Sequence, residues 1–291
     1  MSFAILLSAL ALAGAGPASE GEILVTGERP SAEAVRDFIR DVGREAPGDQ
    51  LARWDRAVCP YVTGLRDPHN AYIAETITAL AQAVGAEPGG EGCAVNLVLI
   101  VNAEPGLLVG ALRQRHPWMF DSLQPSERRR LEESSAPARS WGVVTRRGSD
   151  GRILQRQGFG KSGLGEARTF GFPDTEILAG VLPSRIVRST RSDLGASFIL
   201  LDAARLEGLS LQQISGYAAM LALAQLDMGE RIEPDRSILN LFHDAETPPE
   251  DLTSWDIAYL RALYASDNRR SAAVQRGQMT RLMRGYLAAE E

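Results

Sequence analysis

"SLQQISGYAAMLAL", Ser210 to Leu223, combines a helix start with a long apolar run. Ser210 followed three residues later by Gln213 makes a capping box: the serine hydroxyl accepts from the Gln213 amide while the Gln213 side chain accepts from that of Ser210. From Tyr217 to Ala224 every residue is apolar or aromatic. A helix that is apolar all round for two turns belongs in the middle of a core, so other elements must cover it on every side.

The neighbouring sequence supplies those elements. Just upstream, "SRIVRST" and "ASFILLDA" read as two strands separated by "RSDLG", whose Asp193-Leu194-Gly195 suits a turn. Farther back, "VNLVLIV", Val95 to Val101, is a continuous β-branched run of the kind found in buried central strands. Before it, Ile73, Ile77, Leu80 and Val84 recur at helical spacing in a helix that Asn70 can cap. A strand is expected around Ala57 to Val62, pushed to a sheet edge or a bulge by Pro60. A first helix opens at Ser31 and buries Val35, Phe38, Ile39 and Val42. "GLLVGALRQRH" is also helical in pattern.

Downstream, Thr253 and Asp256 form another capping box, on a helix that turns Ile257, Leu260 and Tyr264 inward. A last helix spans about Arg270 to Ala288, with Met279, Leu282, Met283 and Tyr286 on one face. Strands alternating with helices predict the α/β (α+β) class: a mixed, mainly parallel sheet packed with helices, followed by a C-terminal helical segment. Residues 31–291 read as one domain. Between about 118 and 183 the periodicity loosens into a short charged helix, a possible strand "SWGVV" and many glycines, which we read as an irregular insertion.

Composition narrows the class. The chain of 291 residues is 44% hydrophobic and 23% charged, enough to bury a substantial core. Its net charge of −6 argues against a nucleic-acid partner. The apolar run from Phe3 to Ala13, followed by small residues suited to cleavage after Ala15 or Ala18, reads as a signal peptide over residues 1–18, with an extended segment over 19–30. No later stretch is long and apolar enough to span a bilayer, so a periplasmic or secreted protein is expected. Cys59 and Cys93 fit an oxidising compartment as a disulfide, with two buried free thiols as the other state.

Motifs for chemistry are scarce. Gly158, Gly160 and Gly163 spell G-x-G-x-x-G, and Lys161-Ser162 follows a glycine as in a P-loop. Neither a buried strand before them nor a clear helix after them is present, and the Walker position five residues before the Gly160-Lys161 pair is Gln155. We therefore expect no nucleotide and no cofactor. His69, His116 and His243 stand in unrelated segments without the helical pairing of a zinc site. No G-x-S-x-G elbow exists.

Taken in order, the helix from Asn70, the strand at Val95 to Val101, the later strands, "LQQISGYAAMLAL", "SILNLF" (Ser237 to Phe242) and "LTSWDIAYLRALY" (Leu252 to Tyr264) resemble the layout of zincin-like metalloproteases of the metzincin kind. "SILNLF" resembles the turn beneath the zinc, with Leu239 at its methionine position. Together with Arg53-Trp54, the layout is similar to an exported, zincin-like bacterial family of unknown function in which metal ligands are often incomplete. Carried over residue by residue, with Gly216 before the second histidine position, the zinc motif places Gln213 and Tyr217 at the first two ligands. Ile214 stands at the catalytic glutamate and Leu223 at the third ligand. No nearby shift recovers a histidine, because none lies between His116 and His243.

The resemblance implies a scaffold silent as a metalloprotease, with no metal site and no catalytic residue in the old positions. It implies a binding role, for a peptide or an envelope protein, with Gln212, Gln213, Tyr217, Asn240 and His243 bordering the former cleft. Two other functions fit the residues: a hydrolase of another class working with carboxylates, and a structural envelope component.

Overall fold

The structure is a computed structural model, and it describes residues 30–46, 49–148, 190–227, 232, 236–243 and 248–289. The signal peptide expected over residues 1–18, the glycine-rich segment around Gly158 to Gly163 and the strand expected at "SRIVRS" lie outside the described residues. Seven α-helices and a five-stranded, mainly parallel sheet are present among those described.

The first helix, α1 (Ala32–Val42), starts where Ser31 accepts from the Ala34 amide, and buries Val35, Phe38, Ile39 and Val42. Strand β1 (Arg53–Trp54) is short. Strand β2 (Pro60–Thr63) begins at Pro60, the position where a missing N–H costs least. Helix α2 (Asp67–Val84) leads to β3 (Leu97–Asn102), parallel to β2 and beside it, a β-α-β unit. This places Cys59 and Cys93, each just ahead of its strand, with Cα atoms 6.0 Å apart, and they are disulfide-bonded.

Two local expectations are corrected. Asn70 does not cap α2, which starts at Asp67 with Pro68 in its first turn. The Asn70 side chain instead grips Leu65, accepting from its N–H at 3.2 Å and donating to its C=O at 2.8 Å. Nor does the chain turn at Asp193-Leu194-Gly195. Strand β5 (Thr190–Asp202) runs straight through it, because Asp193 finds ion-pair partners in Arg147 and Arg191 and the irregularity is absorbed by a bulge at Gly195.

Between β3 and β5 come α3 (Pro105–Arg115), a 3-10 turn at Pro117–Phe120, α4 (Pro125–Glu133) and β4 (Ala138–Gly148). Strand β5 pairs with β4 antiparallel along one edge. Along its other edge it is parallel to β1 at Asp193 and Leu194, and to β3 from Ser197 to Asp202. Beyond β3 lies β2, and among the described residues β1, β2 and β4 each pair with a single neighbour.

The bulge shifts which side chains of β5 face which side. Ala196, Phe198 and Leu200 join Trp141, Trp118, Phe120 and Val109 in a small core beneath α3. Leu194, Ile199 and Leu201 face the main core, with Leu97, Leu99 and Val101 of β3.

Helix α5 (Leu211–Leu223) fills the centre of that main core, buried at every residue from Ile214 to Leu223. Both bonds of its capping box form: the Gln213 amide to Ser210 Oγ at 3.1 Å, and the Ser210 amide to Gln213 Oε1 at 2.9 Å. Its last carbonyls are satisfied by side chains from elsewhere. Trp54 Nε1 donates to the Ala222 carbonyl and the Tyr264 hydroxyl to that of Leu223, each at 2.8 Å. Helices α6 (Ser254–Ala265) and α7 (Ala272–Leu287) complete this side. Arg53 ties α6 to the sheet by donating to the carbonyls of Leu263, Tyr264 and Ser266. The Arg53-Trp54 pair is thus a structural knot between β1, α5 and α6.

Candidate functional site

Gln213 to Leu223, the zinc positions of the resemblance, present neither a nitrogen ligand nor a carboxylate. Leu223 is fully buried and Ile214 nearly so. Among the described residues no three His, Cys, Asp or Glu side chains gather in a way that could hold a metal ion.

The five expected cleft residues do lie along α5 and the segments that cross it, but each already has work inside the protein. Gln212 donates to Asp251 Oδ2 at 2.8 Å, and Gln213 donates to the Pro249 carbonyl at 2.9 Å. Gly216 allows this crossing: a Cβ there would stand 2.9 Å from Asp251 Oδ1 and 3.3 Å from the Leu252 nitrogen. Tyr217 is buried edge-on against Phe242 at 4.9 Å, and burial pushes its hydroxyl pKa up. Asn240 is fully buried and clasps Ile232, accepting from its N–H and donating to its C=O. His243, half-buried, closes the 3-10 turn at Ile238–Phe242 by donating its amide to the Asn240 carbonyl at 2.9 Å.

That turn packs on α5 and is held from the other side by Asp256. This buried carboxylate accepts from Ser237 Oγ, the Ile238 amide and both the amide and hydroxyl of Thr253. Burial raises its pKa and these four donors oppose the rise. "SILNLF" therefore lies against the central helix, while residues 249–252 cover the helix's first turns.

An edge of a different kind lies at β4. The Pro137 carbonyl accepts from the Asp202 amide of β5, whereas the Val144 amide donates to Ser122 Oγ, on the side away from β5. Backbone groups alternate along a strand, so the N–H and C=O of Ser140, Gly142 and Arg146 point outward as well. Among the described residues β4 pairs with β5 alone.

Beside that edge is a small hollow, about 10 Å³, lined by Arg44, Ser140, Gly142, Ser197 and Gln225 among others. It is room for one water at most. A larger open groove, about 680 Å³, runs between α3 and α4 and is rimmed by Glu104, Glu132 and Glu133. Gly106, Leu107, Gly110, Ala111 and Gln114 complete its lining.

Sequence reading missed Arg44, Ser140 and Gln225. A signal existed in Gly142: a glycine inside a strand often marks a close approach, and here a Cβ would come 3.1 Å from Gln225 Nε2.

Acids converge at one point. Asp193 Oδ2 pairs with Arg147 Nε at 3.2 Å and Arg191 Nε at 3.1 Å, and Arg191 also pairs with Asp55. Among the described residues Asp193 Oδ1 has no hydrogen-bond partner. Burial, helped by the nearby Asp55 charge, pushes the Asp193 pKa up to about 6 against the pull of the two arginines. A raised carboxylate pKa is a mark of general acids, but at 2% exposure this one is out of a substrate's reach.

Searches against protein-family models, curated proteins and solved structures return no match to this chain.

Proposed function

We propose that this protein is an exported, non-catalytic binding protein on a zincin-like scaffold, which takes up an extended peptide by adding it as a strand to the outer edge of β4. The observation that carries this reading is the position of β4. Among the described residues it is the one antiparallel strand of an otherwise parallel sheet, it lies at the margin, and it turns the polar backbone of Ser140, Gly142 and Arg146 away from its neighbour. An outer strand is a template for another chain: main-chain hydrogen bonds supply affinity and alternate side chains supply selectivity.

Three further points support it. The order of elements, with the central helix after β5 and the Ser237–Phe242 turn packed on that helix, fits the proposed scaffold. Gln213, Ile214, Tyr217 and Leu223 make a donor set that cannot bind zinc or polarise water, so the role that remains for the scaffold is binding. The Cys59–Cys93 disulfide fits an oxidising compartment, and no described helix is long and apolar enough to cross a membrane.

Fluorescence anisotropy with a panel of fluorescein-labelled, eight-residue peptides of alternating polar and β-branched residues tests the reading. Saturable binding is expected, and Ser140→Pro, which deletes one outward N–H at a position where an outer strand tolerates proline, should weaken it about tenfold while the melting curve keeps its cooperativity. Absence of binding across the panel, or chelator-sensitive cleavage of casein with stoichiometric zinc by elemental analysis, would overturn it.

A further inference from the structure

Two groups of elements flank the outer edge of β4 on opposite faces of the sheet. The 3-10 turn at Pro117–Phe120 and α4 lie on the Trp141 face: Trp141 Nε1 donates to the Met119 carbonyl at 3.0 Å, and Leu131 of α4 packs on the small core. Helix α1 and the segment after α5 lie on the main-core face, joined by the Arg44 amide donating to the Gln225 carbonyl at 3.1 Å.

Arg44, just past α1, is ion-paired with Glu127 in the first turn of α4. A contact between opposite faces has to pass around a margin of the sheet. Arg44 also lines the hollow at Ser140 to Gly142, which fixes that margin as β4.

We infer that the Arg44–Glu127 ion pair is a latch across the outer edge of β4, closing Ser140 and Gly142 to an incoming strand until it opens. This rests on the peptide-binding reading above and adds its regulation. Both side chains keep about a third of their surface exposed, 33% and 28%. A pair so placed is worth little against water and is screened by salt, so it can open without disturbing the core. Ser122 Oγ on the Val144 amide closes the next outward position from the same face. Among the described residues the edge is thus guarded by side chains over Ser140 to Val144, and the rest of the sheet need not move when the guard lifts.

The latch can be broken cleanly. Glu127 also closes the capping box of α4, accepting from the Gln124 amide at 2.6 Å through Oε2, while Oε1 faces Arg44. Glutamine at this position keeps the capping acceptor and removes the charge. Hydrogen exchange resolved by residue is the primary readout. Glu127→Gln and Arg44→Met are each expected to speed exchange at the Ser140 and Gly142 amides by about fivefold. The Trp141 and Val143 amides, bonded to β5, should be unchanged, and high salt should produce the same pattern in the unaltered protein. Unchanged exchange at Ser140 and Gly142 in both variants overturns the latch, whatever the protein binds. With the labelled peptides, tighter binding by Glu127→Gln than by the unaltered protein supports latch and binding together. Faster exchange with no peptide bound by any form keeps the latch and overturns the peptide-binding reading.

Discussion

Asp193 illustrates how much one residue's surroundings outweigh its type. Aspartate is a turn former on a loop, yet here it sits inside a continuous strand because Arg147 across the β4–β5 ladder and Arg191 two residues back on β5 both pair with it. The arrangement is not fully compensating, since one oxygen has no partner among the described residues and the pKa rises to about 6. In the unfolded chain the same group titrates near 3.8. Between these values the folded state holds more proton than the unfolded one, so this group makes stability fall as pH rises through that window and level off above it. The expected contribution is on the order of 2 kcal/mol. Urea unfolding at a series of pH values should show it, and Asp193→Asn should flatten that part of the profile. A profile identical in both proteins would mean that the carboxylate titrates normally.

At the scale of elements, the β2-α2-β3 unit depends on one close crossing. Gly64, at the end of β2, has φ +102°, and a Cβ there would stand 2.0 Å from the Val101 carbonyl oxygen of β3. Both the left-handed backbone and the lack of space select glycine. Gly64→Ala is expected to cost about 3 kcal/mol or more, read from the urea midpoint, because the overlap is with backbone that cannot rotate away. The unit is tied again at its other end by Cys59–Cys93, and by Asn96, whose side chain accepts from the Cys59 amide and donates to the Ala57 carbonyl. These ties explain why two parallel strands, which need a long crossover, form a defined register here.

For the whole molecule, the disulfide closes a loop with a sequence separation of 34 residues. By loop-closure entropy, its removal should lower stability by about 3–4 kcal/mol. The paired Cys59→Ser, Cys93→Ser variant, compared with the parent under denaturant with and without reductant, checks this. Equal midpoints in all cases would show that the bond adds nothing to stability. The larger of the two apolar cores gathers around α5, where the α6 and α7 helices, the sheet and α2 contribute side chains.

The molecule also shows which signals travel through sequence. Helix starts at Ser31, Ser210 and Thr253 were legible because a cap and its partner lie three residues apart. The buried centre at Ile214 to Leu223 and the β3 strand were legible from the density of apolar residues. Cys59 and Cys93 were legible only as a candidate pair, from their even number in a chain expected to be exported. The caps and apolar runs depend on short-range chemistry or on hydrophobicity, so a linear chain carries them in full. Tertiary structure alone decided that Asn70 would hold Leu65 rather than cap a helix, that β5 would run through Asp193, and that residues 249–252 would lie over Gln212, Gln213 and Gly216. It alone brought Arg44 to Glu127, 83 residues apart, across the margin of β4. The physical reason is that a polar or charged side chain takes whichever partner folding brings within reach, and that partner is set by the layering of the sheet, which no local pattern encodes.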